Sequence, residues 1–266
     1  MLASKLLGQN KMRVILRTHG GLGNQLFQVF FARLFAREHG SLELLVVHDD
    51  RYPHRFQLSE QFRFSGTPVW HERFLSGLRI PKLISRTGIA KIDTLRLFNT
   101  SYLDGYFQKP EQYTRFNDRL ISNELRRLRH EFAIEGGCDR ATLVHLRLGD
   151  FFGRESDEVT HLERRLDTIP IGSHVISNRD DLLSQDGYRA ALAARDCLYI
   201  QTDGETPENI LRLMCRYRVI DSNNSTLAFW ASVLSGSDVS FTLTNLSELQ
   251  NNLLVASRIK SGGVPL

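Results

Sequence analysis

The chain has 266 residues, 41% hydrophobic and 24% charged, ordinary proportions for a globular protein long enough to bury a core without disulfide staples. Its three cysteines, Cys138, Cys197 and Cys215, lack C-x-x-C spacing, which argues against a secreted disulfide framework and a structural zinc site, and no stretch approaches the ~20 apolar residues of a membrane span. A net charge of +4 and a pI near 9.1 suit a polyanionic partner: nucleic acid, an anionic membrane or a nucleotide pyrophosphate.

Residues 1–8 hold one lysine and no long apolar core. That makes a poor signal peptide, so the expected location is cytoplasmic, at most peripheral at a membrane. The apolar run 13–17 reads as a short strand. His19-Gly20-Gly21-Leu22-Gly23-Asn24 follows as a glycine-rich turn, and Leu26, Phe27, Val29, Phe30, Leu34 and Phe35 then recur at helical spacing until Gly40. Residues 42–47 are strand-like again and end in His48-Asp49-Asp50. Strand, glycine turn, helix, strand opens a parallel βαβ unit. Glycines let backbone amides approach a ligand, and the helix start behind them offers N–H groups to an anion. Two readings stand here: a dinucleotide fingerprint completed by Asp49 or Asp50, and a tight turn with a helix cap. Against the fingerprint, Leu26 occupies its third glycine position, where bulk hinders helix–strand packing.

Residues 51–115 carry aromatic and basic side chains with weak periodicity. Residues 119–135 predict a charged helix, and Gly136-Gly137 a hinge. Alternation then resumes, with strands at 142–146, 197–201, 217–220 and 239–242 and helices at 181–195, 207–214, 227–234 and 247–256. Short strands separated by such helices predict an α/β protein of two Rossmann-like lobes, 1–135 and 136–266.

Three constellations in the second lobe sit at predicted strand ends, where open α/β sheets bind ligands. In Val144-His145-Leu146-Arg147-Leu148-Gly149-Asp150, alternation points His145 and Arg147 the same way. A permanent cation there suits a phosphate oxygen, or pairs with Asp150. Gln201-Thr202-Asp203-Gly204 offers Asp203 to a ribose or base, or as a cap for the helix at Pro207. Asp221-Ser222-Asn223-Asn224-Ser225-Thr226 opens the helix around Phe229 and Trp230, as a cap or as a phosphate cradle.

Together these segments resemble the α-1,2-fucosyltransferases of glycosyltransferase family eleven. Gly20-Gly21-Leu22-Gly23-Asn24-Gln25-Leu26-Phe27-Gln28 looks like that family's opening motif, and His145-Leu146-Arg147-Leu148-Gly149-Asp150 is similar to its His-x-Arg-Arg-x-Asp segment. Residues 224–231 resemble its Ser-Thr-aromatic helix, and Gly105-Tyr106-Phe107-Gln108 and Asp186-Gly187-Tyr188-Arg189-Ala190-Ala191 also fit, in the family's order. Leu148 replaces a second arginine, and Asn223 stands where the family has serine, with Ser222 beside it.

The resemblance implies a GT-B type fold with the donor cleft between the lobes, the acceptor on the N-terminal side and GDP on the C-terminal side. It implies an inverting transfer of L-fucose from GDP-fucose to a glycan hydroxyl, α-1,2 to galactose. GDP-fucose is then a substrate, with no cofactor, and the acceptor an oligosaccharide or glycolipid. No Asp-x-Asp occurs in the chain, so Arg147 takes the place of a metal on the leaving phosphate. The expected nucleotide contacts are Gly21, Gly23, Asn24, His145, Arg147, Asp203, Ser222, Asn224, Ser225 and Thr226, with Arg147, Asn24 and His145 nearest the chemistry. Asn24 is a feeble proton acceptor. An oxocarbenium-like step in which a departing phosphate oxygen takes the acceptor proton relaxes the need for a base, and His145 and Asp150 are the other candidates.

Two other classes remain: a nicotinamide-dependent oxidoreductase built on the glycine turn and Asp49, and a non-catalytic sugar-nucleotide-binding protein. Nucleic acid is not the expected partner, since no aromatic-basic module appears. Residues 73–98, with Arg79, Lys82, Arg86, Lys91 and Arg96, fit an acceptor-side wall or peripheral contact with an anionic membrane.

Overall fold

A computed structural model describes residues 13–39, 43–48, 94–97, 100–134, 140–148, 154–222, 225–240 and 244–258. The chain divides into two compact units, Met1–Glu124 and Leu125–Leu266. The division falls inside the charged helix expected over 119–135, which forms over Asp118–Glu131, and so lies upstream of the expected hinge at Gly136-Gly137, outside the described residues. None of the described helices is long and apolar enough to cross a membrane.

In the first unit, β1 (Arg13–Thr18), α1 (Leu22–Glu38) and β2 (Glu43–His48) form the expected βαβ, with Arg13 opposite Glu43 and Thr18 opposite His48 in parallel register. Helix α1 begins at Leu22, so Gly23 and Asn24 belong to its first turn. Two strands come from the region of weak periodicity, β3 (Thr94–Leu97) and β4 (Thr100–Asp104). They pair antiparallel with each other, and β4 pairs in parallel with β1. The described strands make one sheet in the order β2-β1-β4-β3.

Helix α1 is buried on nearly every side from Leu22 to Ala36, as its apolar circumference requires. Phe31 stacks on Phe107 at 4.3 Å between ring centroids, and the Tyr113 hydroxyl donates to the Phe107 carbonyl at 2.7 Å. These contacts fix the segment leaving β4. Within α1, Arg33 is 2% exposed and must be paired. Its Nη1 meets Oε1 of Glu124, from α2 (Asp118–Glu131), at 3.0 Å, and Arg37 Nη2 lies 3.2 Å from Oε2 of the same carboxylate.

In the second unit, β5 (Arg140–Leu146), β6 (His174–Ser177), β7 (Leu198–Tyr199), β8 (Tyr217–Ser222) and β9 (Asp238–Ser240) form a sheet parallel throughout, in the order β7-β6-β5-β8-β9. Helices α3 (Glu155–Leu166), α4 (Asp180–Leu183), α5 (Asp186–Ala193), α6 (Pro207–Met214), α7 (Thr226–Ser235) and α8 (Thr244–Arg258) connect and cover these strands. One layer of the core gathers Val144, Leu146 and Leu148 against Leu162, Leu166, Leu182 and Leu192.

Three expectations change here. The helical pattern at 181–195 is broken into α4 and α5 by a turn at Ser184-Gln185, and the strand expected over 197–201 keeps two paired residues. Strand β6 and helix α3 are additions, α3 having been hidden because only Glu158, Leu162 and Leu166 of its charged sequence are buried. Cys215 is buried, Cys197 partly so, and neither forms a disulfide.

Removing one partner of a buried ion pair leaves the other charge uncompensated. Glu124→Ala should therefore cost about 3–5 kcal/mol of unfolding free energy, read as a fall in the urea midpoint. A loss below ~1 kcal/mol would mean that the cluster carries no such weight.

Candidate functional site

Each sheet has a point where its strand order reverses, and the crevice beyond the carboxyl ends there is where α/β sheets take ligands. In the second unit the reversal lies between β5 and β8, because β6 and β7 were laid down on one side of β5 and β8 and β9 on the other. Three of the expected residues meet at this place. His145 and Ser222 face each other in register at the ends of the two strands, and His145 Nδ1 and Ser222 Oγ share a hydrogen bond at 3.2 Å. Arg147 follows directly after β5 and is half-buried.

The His145 ring is 8% exposed, and burial, reinforced by the Arg147 charge, lowers its pKa from 6.5 to about 4. With the imidazole neutral, the positive charge that strand β5 carries to its end is that of the Arg147 guanidinium. Backbone geometry holds that charge in place. Asn178, just after β6, donates from Nδ2 to the Leu148 carbonyl and accepts the Leu148 N–H at Oδ1, both at 2.7 Å. Leu148 itself is fully buried in the apolar layer and serves as a core anchor.

Helix α7 starts one residue beyond Ser225, whose hydroxyl accepts the Ala228 N–H at 3.3 Å. This cap uses a lone pair and not the O–H. Thr226 occupies the first helical position. The helix is apolar all round and buried, and ends at Gly236 with φ +83°. Asn224, Gly149, Asp150, Asp49 and Asp50 lie outside the described residues.

Asp203 is exposed in the turn after β7, and the cap of α6 is Thr206, which accepts the Asn209 N–H at 3.2 Å. The carboxylate is thus not the helix cap. It follows the carboxyl end of β7, the strand separated from β5 by β6. Thr202 beside it is tied to Asp180, whose carboxylate also takes the Tyr199 hydroxyl. Burial raises the Asp180 pKa.

In the first unit the order reverses between β1 and β4. The glycine turn leaves β1 there. Its His19 N–H donates to Gln28 Oε1 at 3.1 Å and its Gly20 carbonyl accepts from Gln25 Nε2 at 2.7 Å, so glutamines of α1 lock the turn. Gly20 has φ +78°, and a Cβ there would meet Asn24 Nδ2 at 2.7 Å. Gly21 is the N-cap of α1, and Gly23 is buried in its first turn. Asn24 Oδ1 accepts from Gln108 Nε2 at 2.9 Å, which takes one lone pair of its carbonyl and orients its NH₂ as a donor. Leu26 is fully buried, filling the space that a dinucleotide fingerprint leaves to glycine.

Among the described residues, no group of three His, Cys, Asp or Glu is placed to hold a metal ion. Sequence reasoning did not select Asn178 or Gln108 as site residues. Asn178 ends a strand too short to show a pattern, and Gln108 follows a strand in the region without periodicity.

A scan against protein-family models finds no match, and a search of curated proteins finds none. Among solved structures, the chain is similar to the fucosyltransferase NodZ from Bradyrhizobium, with TM-score 0.45, 15% identity, and 85% of this chain and 93% of that one covered. It is similar to a variant of Arabidopsis thaliana FUT1 in complex with GDP, with TM-score 0.47, 12% identity, and 87% and 70% covered. It is also similar to a family 9 glycosyl transferase from Veillonella parvula, with TM-score 0.40, 11% identity, and 93% and 96% covered. These are likenesses of backbone; the chemistry rests on this chain's own residues.

Burial of neutral His145 has a consequence for stability. Above pH 6.5 the ring is neutral whether the chain is folded or not; between pH 6.5 and about 4 only the unfolded chain takes the proton. Stability should fall with pH across that window, by roughly 3 kcal/mol for this group. The difference between wild type and His145→Gln in urea midpoint against pH isolates the effect, and parallel curves would refute it.

Proposed function

We propose that the chain is an inverting, metal-independent fucosyltransferase of GT-B architecture that moves L-fucose from GDP-fucose to a glycan hydroxyl, α-1,2 to galactose. The observation that carries this reading is Arg147, a permanent cation beside the neutral His145–Ser222 pair at the reversal point of a parallel sheet. A phosphate group suits that place. The family-eleven resemblance of the surrounding motifs supplies the identity of the nucleotide and of the sugar.

Breaking the fucosyl–phosphate bond leaves its electron pair on the phosphate oxygen. Arg147 meets that growing charge with charge-assisted hydrogen bonds, which are worth more in the transition state than in the bound donor. Ser222, Ser225 and the start of α7 add hydroxyl and backbone donors to the same oxygens. Asp203, on the far side of β6, is set apart for the ribose or base. The acceptor oxygen attacks the anomeric carbon from the face opposite the phosphate. As oxocarbenium character develops, the attacking hydroxyl becomes acidic, so its proton is lost late and a weak acceptor suffices. Neither an Asn24 carbonyl bonded to Gln108 nor a His145 ring bonded to Ser222 has to act as a strong base.

Arg147→Ala should lower kcat with GDP-fucose and a galactoside by about 10²–10³ while leaving the thermal midpoint in place, because the lost group stabilises developing charge and not a core. A calorimetric screen should show GDP preferred over UDP, CMP and NAD. Full activity in the variant, or selection of NAD, would remove this reading; GDP binding without any fucosylated product would reduce it to a binding protein.

Turnover should also persist in excess EDTA. Activity lost to the chelator and restored by Mn²⁺ would contradict the role given to Arg147.

A further inference from the structure

The phosphate chemistry at β5, β8 and α7 does not use Asp180, the half-buried first residue of α4, just beyond β6. Three donors converge on this carboxylate. Its Oδ1 takes the Tyr199 hydroxyl, and its Oδ2 accepts the Thr202 backbone N–H at 3.2 Å. Thr202 Oγ1 stands between that Oδ2, at 3.1 Å, and the Ser177 carbonyl, at 2.9 Å, so its one O–H has an acceptor on either side. Thr202 is 7% exposed, and these contacts pin it by main chain and side chain at once.

Thr202 in turn opens a tight turn. The Glu205 N–H donates to the Thr202 carbonyl at 3.0 Å, and Gly204 has φ +80°, the conformation that the third residue of a type II turn takes. Asp203 is the second residue of this turn and is exposed, so the direction in which its side chain leaves the backbone is set by its two neighbours. The four residues 177–180 therefore serve both adjoining strand ends. Through Asn178 they hold Leu148, next to Arg147; through Asp180 they hold Thr202, next to Asp203. We infer that Asp180 is a positioning residue for the nucleoside end of the donor, fixing the turn that presents Asp203. It acts through Asp203 and touches no substrate atom itself. The inference rests on the fucosyl-transfer reading, in which Asp203 takes the ribose or base. Arg147 meets charge that grows during transfer, whereas a nucleoside contact is the same in the bound donor and in the transition state. Its loss raises KM and leaves kcat alone.

Steady-state kinetics with GDP-fucose and a galactoside, and calorimetry with GDP and with inorganic pyrophosphate, test this on the full chain. Asp180→Ala should raise KM for GDP-fucose and Kd for GDP about tenfold, with kcat and the pyrophosphate Kd within about twofold of wild type. Asp180→Asn should recover most of the loss, because its carbonyl still accepts from Thr202 while its NH₂ donates to the Tyr199 hydroxyl. In an Asp203→Ala background, Asp180→Ala should cost nothing further, since nothing is left for it to orient. Unchanged GDP affinity in Asp180→Ala overturns the role. So does a loss shared by pyrophosphate, a loss that persists in full without Asp203, or an Asp180→Ala chain that fails to fold, each of which marks Asp180 as structural. Those outcomes leave Arg147 and the transferase reading standing. The same pattern of GDP affinities in a chain that forms no fucosylated product supports the role of Asp180 and removes the transferase reading instead. A wild-type chain that ignores GDP overturns both.

Discussion

Strand β5 is the constraint on which the second unit is organised. It is hydrogen-bonded on both sides, to β6 and to β8, and its residues Leu143, Val144 and Leu146 are buried. A strand so enclosed can carry a charge only where it ends. The crossovers on its two sides lead away from each other, the arrangement that in open α/β sheets leaves a crevice at the carboxyl ends of the strands. His145 still lies inside the sheet and is kept neutral; Arg147, two residues on, has left it. Burial and the neighbouring guanidinium keep the imidazole neutral, while the guanidinium's own high basicity keeps Arg147 charged.

What fixes Arg147 is mostly the residue after it. Leu148 turns back into the apolar layer, and the Asn178 side chain takes both of its backbone groups, replacing the ladder bonds lost as the strand ends. A second arginine at position 148 would have added charge at the crevice but could not have been buried in that layer.

The first unit solves a different problem. A helix buried on nearly all sides has little room for polar groups, and three of them make buried contacts: Arg33 with Glu124, Gln28 Oε1 with the His19 amide, Gln25 with the Gly20 carbonyl. The glycine turn is consequently a rigid, satisfied piece of backbone whose main use is to bring Asn24 across to Gln108. Gly20 is required both for its positive φ and because Asn24 Nδ2 occupies the space of a Cβ. The carboxyl end of the first sheet carries paired amides, that of the second a cation and hydroxyls.

The amino-acid sequence by itself determined the parts whose signals are local. Apolar spacing located β1, α1 and β2. The helix at 207–214 was read in place, although its cap is Thr206 and not the Asp203 that the sequence offered, and the glycine turn and the His145–Arg147 alternation marked residues that the fold carries to strand ends. It did not disclose the hairpin of β3 and β4, the four-residue β6 or the break between α4 and α5, since short strands and interrupted helices leave no period to read. Strand order was decided only in three dimensions, and with it the meeting of His145 with Ser222, 77 residues apart, and of Asn24 with Gln108, 84 apart. Periodicity reports which face of an element is buried; which elements become neighbours depends on how those faces pack, and no local pattern encodes that.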